Sequence, residues 1–138
     1  MTINISTNAR NAMLDAIETE LLTGGAPILK VRTGAKPANC AAADSGTVVA
    51  TLNLPADPLA AASGGVKTLL GTWQDLTADA AGTIGHFRVY KADGTTCVLQ
   101  GSVTSTAVGT GDMLVDNPVL EAGQQFSVTG FSLTAPNA

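Results

Sequence analysis

Aromatic side chains make up only 4% of this chain: three Phe, one Trp and one Tyr. So few leave little to build a sugar-stacking platform or a row of base-stacking residues. Charge is equally sparse, at 13% of residues, with a formal net charge of −4. The seven basic residues are scattered singly, Lys30, Arg32 and Lys36 being the densest group. That distribution excludes nucleic acid as a main ligand, because phosphate binding needs clustered Lys and Arg. A single histidine, His86, with no paired cysteines supports no zinc set. No basic segment leads into an apolar run near the start, and no stretch approaches eighteen apolar residues. Neither a secretory signal nor a membrane span is therefore expected, and the chain is expected to be made in a cytosol. Cys40 and Cys97 stand too far apart in sequence for a metal-ligand motif. In a reducing compartment they are expected as buried or free thiols and not as a disulfide.

What is present points to β structure. A chain of 138 residues is one domain on length, residues 1–138, large enough to bury a core without a metal or disulfide. Fifteen glycines and a hydrophobic content of 45% that is rich in alanine suggest a turn-rich β protein with an uncharged skin. One helix is signalled over about residues 7–22. Ser6 or Thr7 can cap it, Ala9, Ala12, Met13, Ala16, Ile17 and Leu21 form a stripe at helical spacing, and Gly24-Gly25-Ala26-Pro27 stops it. That stripe packs either on its own sheet or on a neighbour. Ile3 and Ile5, ahead of it, alternate as in a short strand.

Downstream, every signal is for strands. In Ile28–Arg32, Leu29 and Val31 point inward and Lys30 and Arg32 outward; Thr33–Ser45 is a small-residue loop. Thr47–Leu54 and Val66–Trp73 read as further strands. Gly82–Val103 reads as a β-hairpin with a three-residue loop, Ala92-Asp93-Gly94. That loop sets Val89 across from Cys97, Phe87 from Leu99 and Gly85 from Gly101, with His86, Arg88 and Tyr90 on the other face. In the last strand, Gln124–Leu133, a bulge at Gly130 brings Phe126, Val128, Phe131 and Leu133 to one side. The fold class that follows is mainly β: a two-sheet antiparallel sandwich, jelly-roll or immunoglobulin-like, with one N-terminal α-helix.

The search for chemistry yields no catalytic, cofactor-binding or metal-binding residue. His86 lies in a strand without an adjacent nucleophile. Asp75 with Asp79, and Asp112 with Asp116, match no calcium-loop template and read as turn residues. Trp73, at a strand end, is a core plug or an interface anchor.

Several stretches carry a family likeness: TINISTNARNAMLDAIETE (Thr2–Glu20), GTWQDLTADAAGTIGHFRVY (Gly71–Tyr90), GTTCVLQGSV (Gly94–Val103), GDMLVDN (Gly111–Asn117) and the ending FSLTAPNA (Phe131–Ala138). In these the chain resembles a family of small virion proteins of tailed bacteriophages and their prophages. The resemblance implies a non-enzymatic structural protein without cofactor, found in the virion after synthesis in the host bacterial cytoplasm. Within that class it implies a capsid decoration (cement) protein on the major capsid protein, with a tail- or neck-associated protein as the rival. A glycan- or host-recognition module on a tail fibre is the competing class. The expected partners are further copies of the chain and the major capsid protein or another virion protein, with no nucleic acid and no membrane. Expected contact residues are Ile3, Ile5, Met13, Ile17, Leu21 and Trp73, together with the loops Lys36–Ser45 and Pro55–Gly65.

Overall fold

The computed structural model describes residues 2–138. One helix, α1 (Thr7–Leu21), precedes ten strands: β1 (Ile28–Thr33), β2 (Val48–Asn53), β3 (Val66–Thr68), β4 (Trp73–Asp75), β5 (Gly82–Tyr90), β6 (Cys97–Ser105), β7 (Met113–Val115), β8 (Val119–Leu120), β9 (Phe126–Val128) and β10 (Ser132–Thr134). The chain is thus mainly β with one helix, in both antiparallel and mixed sheets.

Ser6 caps α1, its hydroxyl accepting the N–H of Ala9, and Gly24 at φ +86° carries the chain out of it. The helix docks on its own subunit, but not by the expected stripe. Arg10, Leu14 and Leu21 are buried and Ile17 packs against the core, whereas Ala9, Ala12, Met13 and Ala16 stay exposed. Polar anchors decide this rotation. Arg10 donates through Nε (3.1 Å) and Nη2 (2.7 Å) to the carbonyl of Ala135, and Asn11 accepts the N–H of Gly65. Lys67, itself buried, reaches up from β3 to Asp15 (2.8 Å) and Glu18 (2.7 Å). Burial alone would push the Lys67 ammonium down, but these two carboxylates carry it above its ordinary value.

The larger sheet runs β2-β1-β5-β6-β7, with β8 pairing β5. All its pairs are antiparallel except β6 with β7, which run parallel. Alternation places Leu29 and Val31 inward as expected, facing Val89 and Phe87 of β5 and Leu52 and Ala50 of β2. Apart from the large sheet stand two two-stranded pairs, β3 with β10 and β4 with β9, an interrupted ladder in sequence. The expected strand Val66–Trp73 is therefore two strands, and so is Gln124–Leu133. Phe126, Val128, Phe131 and Leu133 do turn to one side, the first three buried and Leu133 packed against the core. The change of phase at Thr129-Gly130 is a break between strands and not a bulge within one. Phe131 sits between Trp73 (5.4 Å between centroids) and the edge of Phe87 (5.7 Å), joining the ladder to the large sheet.

The hairpin β5–β6 exists, with its register displaced from expectation. Phe87 faces Gly101 and Val89 faces Leu99, while Tyr90 faces Cys97 and the register shifts between Val89 and Tyr90. The loop has four residues, because the N–H of Lys91 bonds Thr96 and not Thr95. Asp93 holds it shut by accepting the N–H groups of Thr95 and Thr96 and the Thr96 hydroxyl. Those bonds keep the Asp93 carboxyl at about 2. The slip by two keeps the parity of the apolar face and gives the Phe87 ring the space over a glycine. A Cβ on Gly101 would lie 2.6 Å from Phe87 Cε1.

Gly101→Ala is therefore expected to destabilise the protein by about 1–3 kcal/mol through overpacking, with part of the loss recovered when Phe87 is replaced by Leu in the same chain. Urea unfolding of the three variants checks this. A neutral or stabilising Gly101→Ala, as pairing with Gly85 would give, contradicts the observed register.

Candidate functional site

The face of the large sheet turned away from the core is where the chemically capable side chains converge. Alternation puts Arg32 of β1, His86, Arg88 and Tyr90 of β5, and Gln100 of β6 on that one face. Such a face was expected to meet solvent; instead His86 and Tyr90 are fully buried, and Arg88 and Arg32 nearly so. The cover is the small-residue segment 34–46. It closes a buried layer with main-chain carbonyls and one carboxylate, so it needs no large side chains.

Asp44 is the hub. Its Oδ1 accepts from Arg88 Nη1 and from the Tyr90 hydroxyl (2.7 Å), and its Oδ2 accepts from Arg32 Nη2 (2.9 Å). Arg88 also donates to the Asn39 and Ala42 carbonyls (2.8 and 3.1 Å) and, through Nε, to Gln100 Oε1 (3.0 Å). Gln100 in turn donates to the carbonyl of Pro37 (2.8 Å). Asn39 holds the crest of the segment by accepting the N–H groups of Ala41 and Ala42. His86 Nδ1 is 2.8 Å from the Gly34 carbonyl, which fixes the proton on Nδ1, since a carbonyl can only accept. Next to this layer, the Lys30 ammonium lies 5.1 Å from the centroid of the Tyr90 ring and donates to the Gly94 carbonyl.

A disulfide between Cys40 and Cys97 pins the segment to the start of β6, with 5.3 Å between Cα atoms. The expectation of free thiols rested on compartment; the fold instead carries the two residues together from 57 positions apart. A cross-link of that span removes about 4 kcal/mol of loop-closure entropy from the unfolded chain in the chain-entropy account.

Burial pushes the Asp44 carboxyl up, but the Tyr90 hydroxyl and the two guanidinium groups outweigh it and hold it below its usual 3.8. Burial pushes His86 below its usual 6.5, and Arg32 and Arg88 add to the effect. No nucleophilic hydroxyl or thiol contacts the imidazole among the described residues, and each Arg88 nitrogen already has an acceptor. The aspartate pairs are structural in the same way. Asp75 accepts the N–H of Thr51 and Asp79 its hydroxyl, sewing the edge of β2 to β4 and the turn after it. Asp112 accepts the N–H and hydroxyl of Ser102, and Asp116 is exposed. Among the described residues, no three His, Cys, Asp or Glu side chains group as a metal would require.

The residues expected at an interface fall into three sets. Ile3 (74% exposed) and Met13 (42%) are at the surface. Ile5, whose N–H bonds the Asn137 carbonyl, and Ile17 are half-buried. Leu21 and Trp73 are buried in the subunit's own core, Trp73 donating its ring N–H to the Pro58 carbonyl (3.2 Å), so neither is open to a partner. Of the expected contact loops, Lys36–Ser45 covers the sheet with one side and leaves most of its residues exposed on the other. Within Pro55–Gly65, Pro58 and Leu59 are buried. Sequence reasoning missed Asp44 altogether. The available signal was charge: Arg32, His86 and Arg88 share one face, and Asp44 is the one acidic residue between Glu20 and Asp57.

Both shifted groups favour the fold at neutral pH. A depressed carboxyl contributes stability above about pH 4 that is lost as pH falls through its folded value, and a depressed imidazole contributes stability above about pH 6.5 that is lost as pH falls below it. Urea midpoints followed against pH are expected to fall in two stages. Asp44→Asn should cost about 2 kcal/mol at pH 7, less than a fully buried pair because Asp44 is partly exposed, and should shrink the lower stage, which Asp93 and Asp112 share, while leaving the upper one. An unchanged acid profile in that variant would contradict the arrangement.

No helix among the described residues is long and apolar enough to cross a membrane. Comparison of the chain with protein-family models, curated proteins and solved structures finds no match.

Proposed function

We propose that this protein is a non-enzymatic structural component of a tailed-bacteriophage particle, a capsid decoration protein that binds the outside of the major capsid lattice. The fold is read as a two-layer sandwich, the large sheet forming one layer and the interrupted ladder the other, in the manner of jelly-roll and immunoglobulin-like subunits. The observation that carries the reading is where the charged side chains go. Arg10, Arg32, Lys67, Arg88 and Asp44 tie the helix and segment 34–46 to the sheets. A small rigid shell with a poorly charged skin is what remains to meet other proteins. The family likeness supports the virion assignment. Its stretches Gly71–Tyr90, Gly94–Val103 and Gly111–Asn117 fall on β4, β5, β6 and β7, and Thr2–Glu20 falls on α1.

Two further observations favour a decoration protein over the other classes. Trp73, Tyr90 and all three Phe are buried, so no described aromatic ring offers a face for a sugar. The Cys40–Cys97 disulfide suits a protein that works in an oxidising setting such as a virion surface, after its synthesis in the host cytoplasm. Weak contacts repeated over a lattice, with the capsid and among copies, give durable attachment.

Particles lacking this chain, incubated with the purified protein, are expected to take it up on the head and to retain their DNA to a higher temperature. Electron microscopy of the particles and a DNA-release assay read both. Density on the tail or neck alone, or no uptake, would overturn the assignment.

A further inference from the structure

Along one side of the molecule the two layers end in strands that pair on one side only. Among the described residues β7 pairs only β6, β9 only β4 and β10 only β3. Between β7 and the β9–β10 connection runs a groove of about 470 Å³, with Asp112 and Leu114 on one wall and Thr129, Gly130, Phe131 and Ser132 on the other. A second hollow of about 270 Å³ continues it past Thr129 toward Asp116. Thr129 and Gly130 are exposed, and their main-chain groups make no hydrogen bond among the described residues. A Cβ placed on Gly130 would meet nothing within 4 Å. Unpaired main chain beside an open channel is the template onto which an extended segment adds as a strand.

The same chain carries such a segment unused. Thr2-Ile3-Asn4-Ile5 alternates polar residues with β-branched apolar ones, the pattern of a half-buried strand, yet it belongs to no sheet. Ile3 is 74% exposed, the most exposed large hydrophobic side chain among the described residues. Among the described residues the arm is held by the Ile5 N–H on the Asn137 carbonyl (2.7 Å) and the Asn4 side chain on the Ala138 carbonyl (2.8 Å), both at its root. We infer that the Thr2–Ile5 arm of one copy adds as a strand along Thr129–Ser132 of a second copy, with Ile3 seated in the groove. The lengths match: four extended residues span about 13 Å, facing a wall of four residues. Charge matches as well. The arm is uncharged, so Asp112 and Asp116 at the groove place no like charge against it, as they would against an acidic segment. The root of the arm lies beside Asn137, just past the end of β10, so two copies can exchange arms reciprocally in an isologous contact. This association holds whether or not the chain resides in a virion.

Sedimentation equilibrium of the full-length protein tests it, with Ile3→Asp in the arm and Gly130→Pro in the groove. Both sites are exposed, and retained Trp73 fluorescence verifies the fold. The wild type is expected to associate, and each variant to weaken association at least about tenfold, while Ile3→Val retains it. In a second arm of the experiment, Ile3→Cys and Thr129→Cys proteins are mixed and oxidised. A disulfide-linked dimer containing one chain of each is expected. A wild type monomeric at every concentration would overturn the proposal, as it would if the groove serves a foreign segment. Association unaffected by Ile3→Asp, or a mixture that yields no cross-linked heterodimer, would also overturn it. Should Gly130→Pro fail to fold, the Ile3 variants and the cross-link decide alone.

Discussion

One carboxylate is shared by two cations of one face. Strands β1 and β5 place Arg32, opposite His86, and Arg88, opposite Lys30, on one face as diagonal neighbours, and left alone two guanidinium groups there would require water. Asp44 supplies charge and acceptors to both and to Tyr90, and through it segment 34–46 becomes a lid of main chain over the outer face of the sheet. The Cys40–Cys97 disulfide makes that closure cheaper to maintain, since it limits how far the segment strays in the unfolded chain. Both faces of the sheet are then buried, one by hydrophobic packing and the other by a polar layer in which Arg32 Nε and His86 Nε2 alone, among the described residues, lack a partner. That double burial lets a chain with so few large side chains order a broad sheet.

On the core side, space and not charge sets the geometry. Gly101 opens a gap in β6, Phe87 fills it from β5, and Phe131 and Trp73 stack on from the ladder. The helix adds a third, largely polar contact through Arg10 and Lys67. Both faces of the large sheet are occupied, and among the described residues β7, β9 and β10 are among the strands that pair on one side only. The functional reading therefore rests on edges and on surface shape.

Much of this was legible in the sequence. The cap at Ser6, the exit at Gly24, the alternation of Leu29 and Val31, and the existence and parity of the β5–β6 hairpin all follow from local pattern. The exact pairing did not, because the fit of Phe87 over Gly101 is a constraint between strands that neither strand carries alone. The face of α1 was misassigned because alanines at helical spacing resemble a core stripe, whereas Arg10 was buried by a carbonyl, Ala135, from the far end of the chain. The polar layer was the least legible part. Its lid contributes carbonyls, which every residue has, so hydrophobic patterning is blind to it. Only the charge imbalance across Arg32, His86 and Arg88 pointed toward Asp44.

The protein has a single tyrosine, and it stands inside the layer on which the account depends. Burial and the hydrogen bond to Asp44 raise the Tyr90 phenol above its ordinary 10.0, against a smaller opposing effect of Arg32. Spectrophotometric titration of the native protein should therefore show a phenol that ionises above 10, falling to about 10 once denaturant opens the segment. A native tyrosine that ionises at or below its ordinary value would mean that segment 34–46 does not close over the sheet.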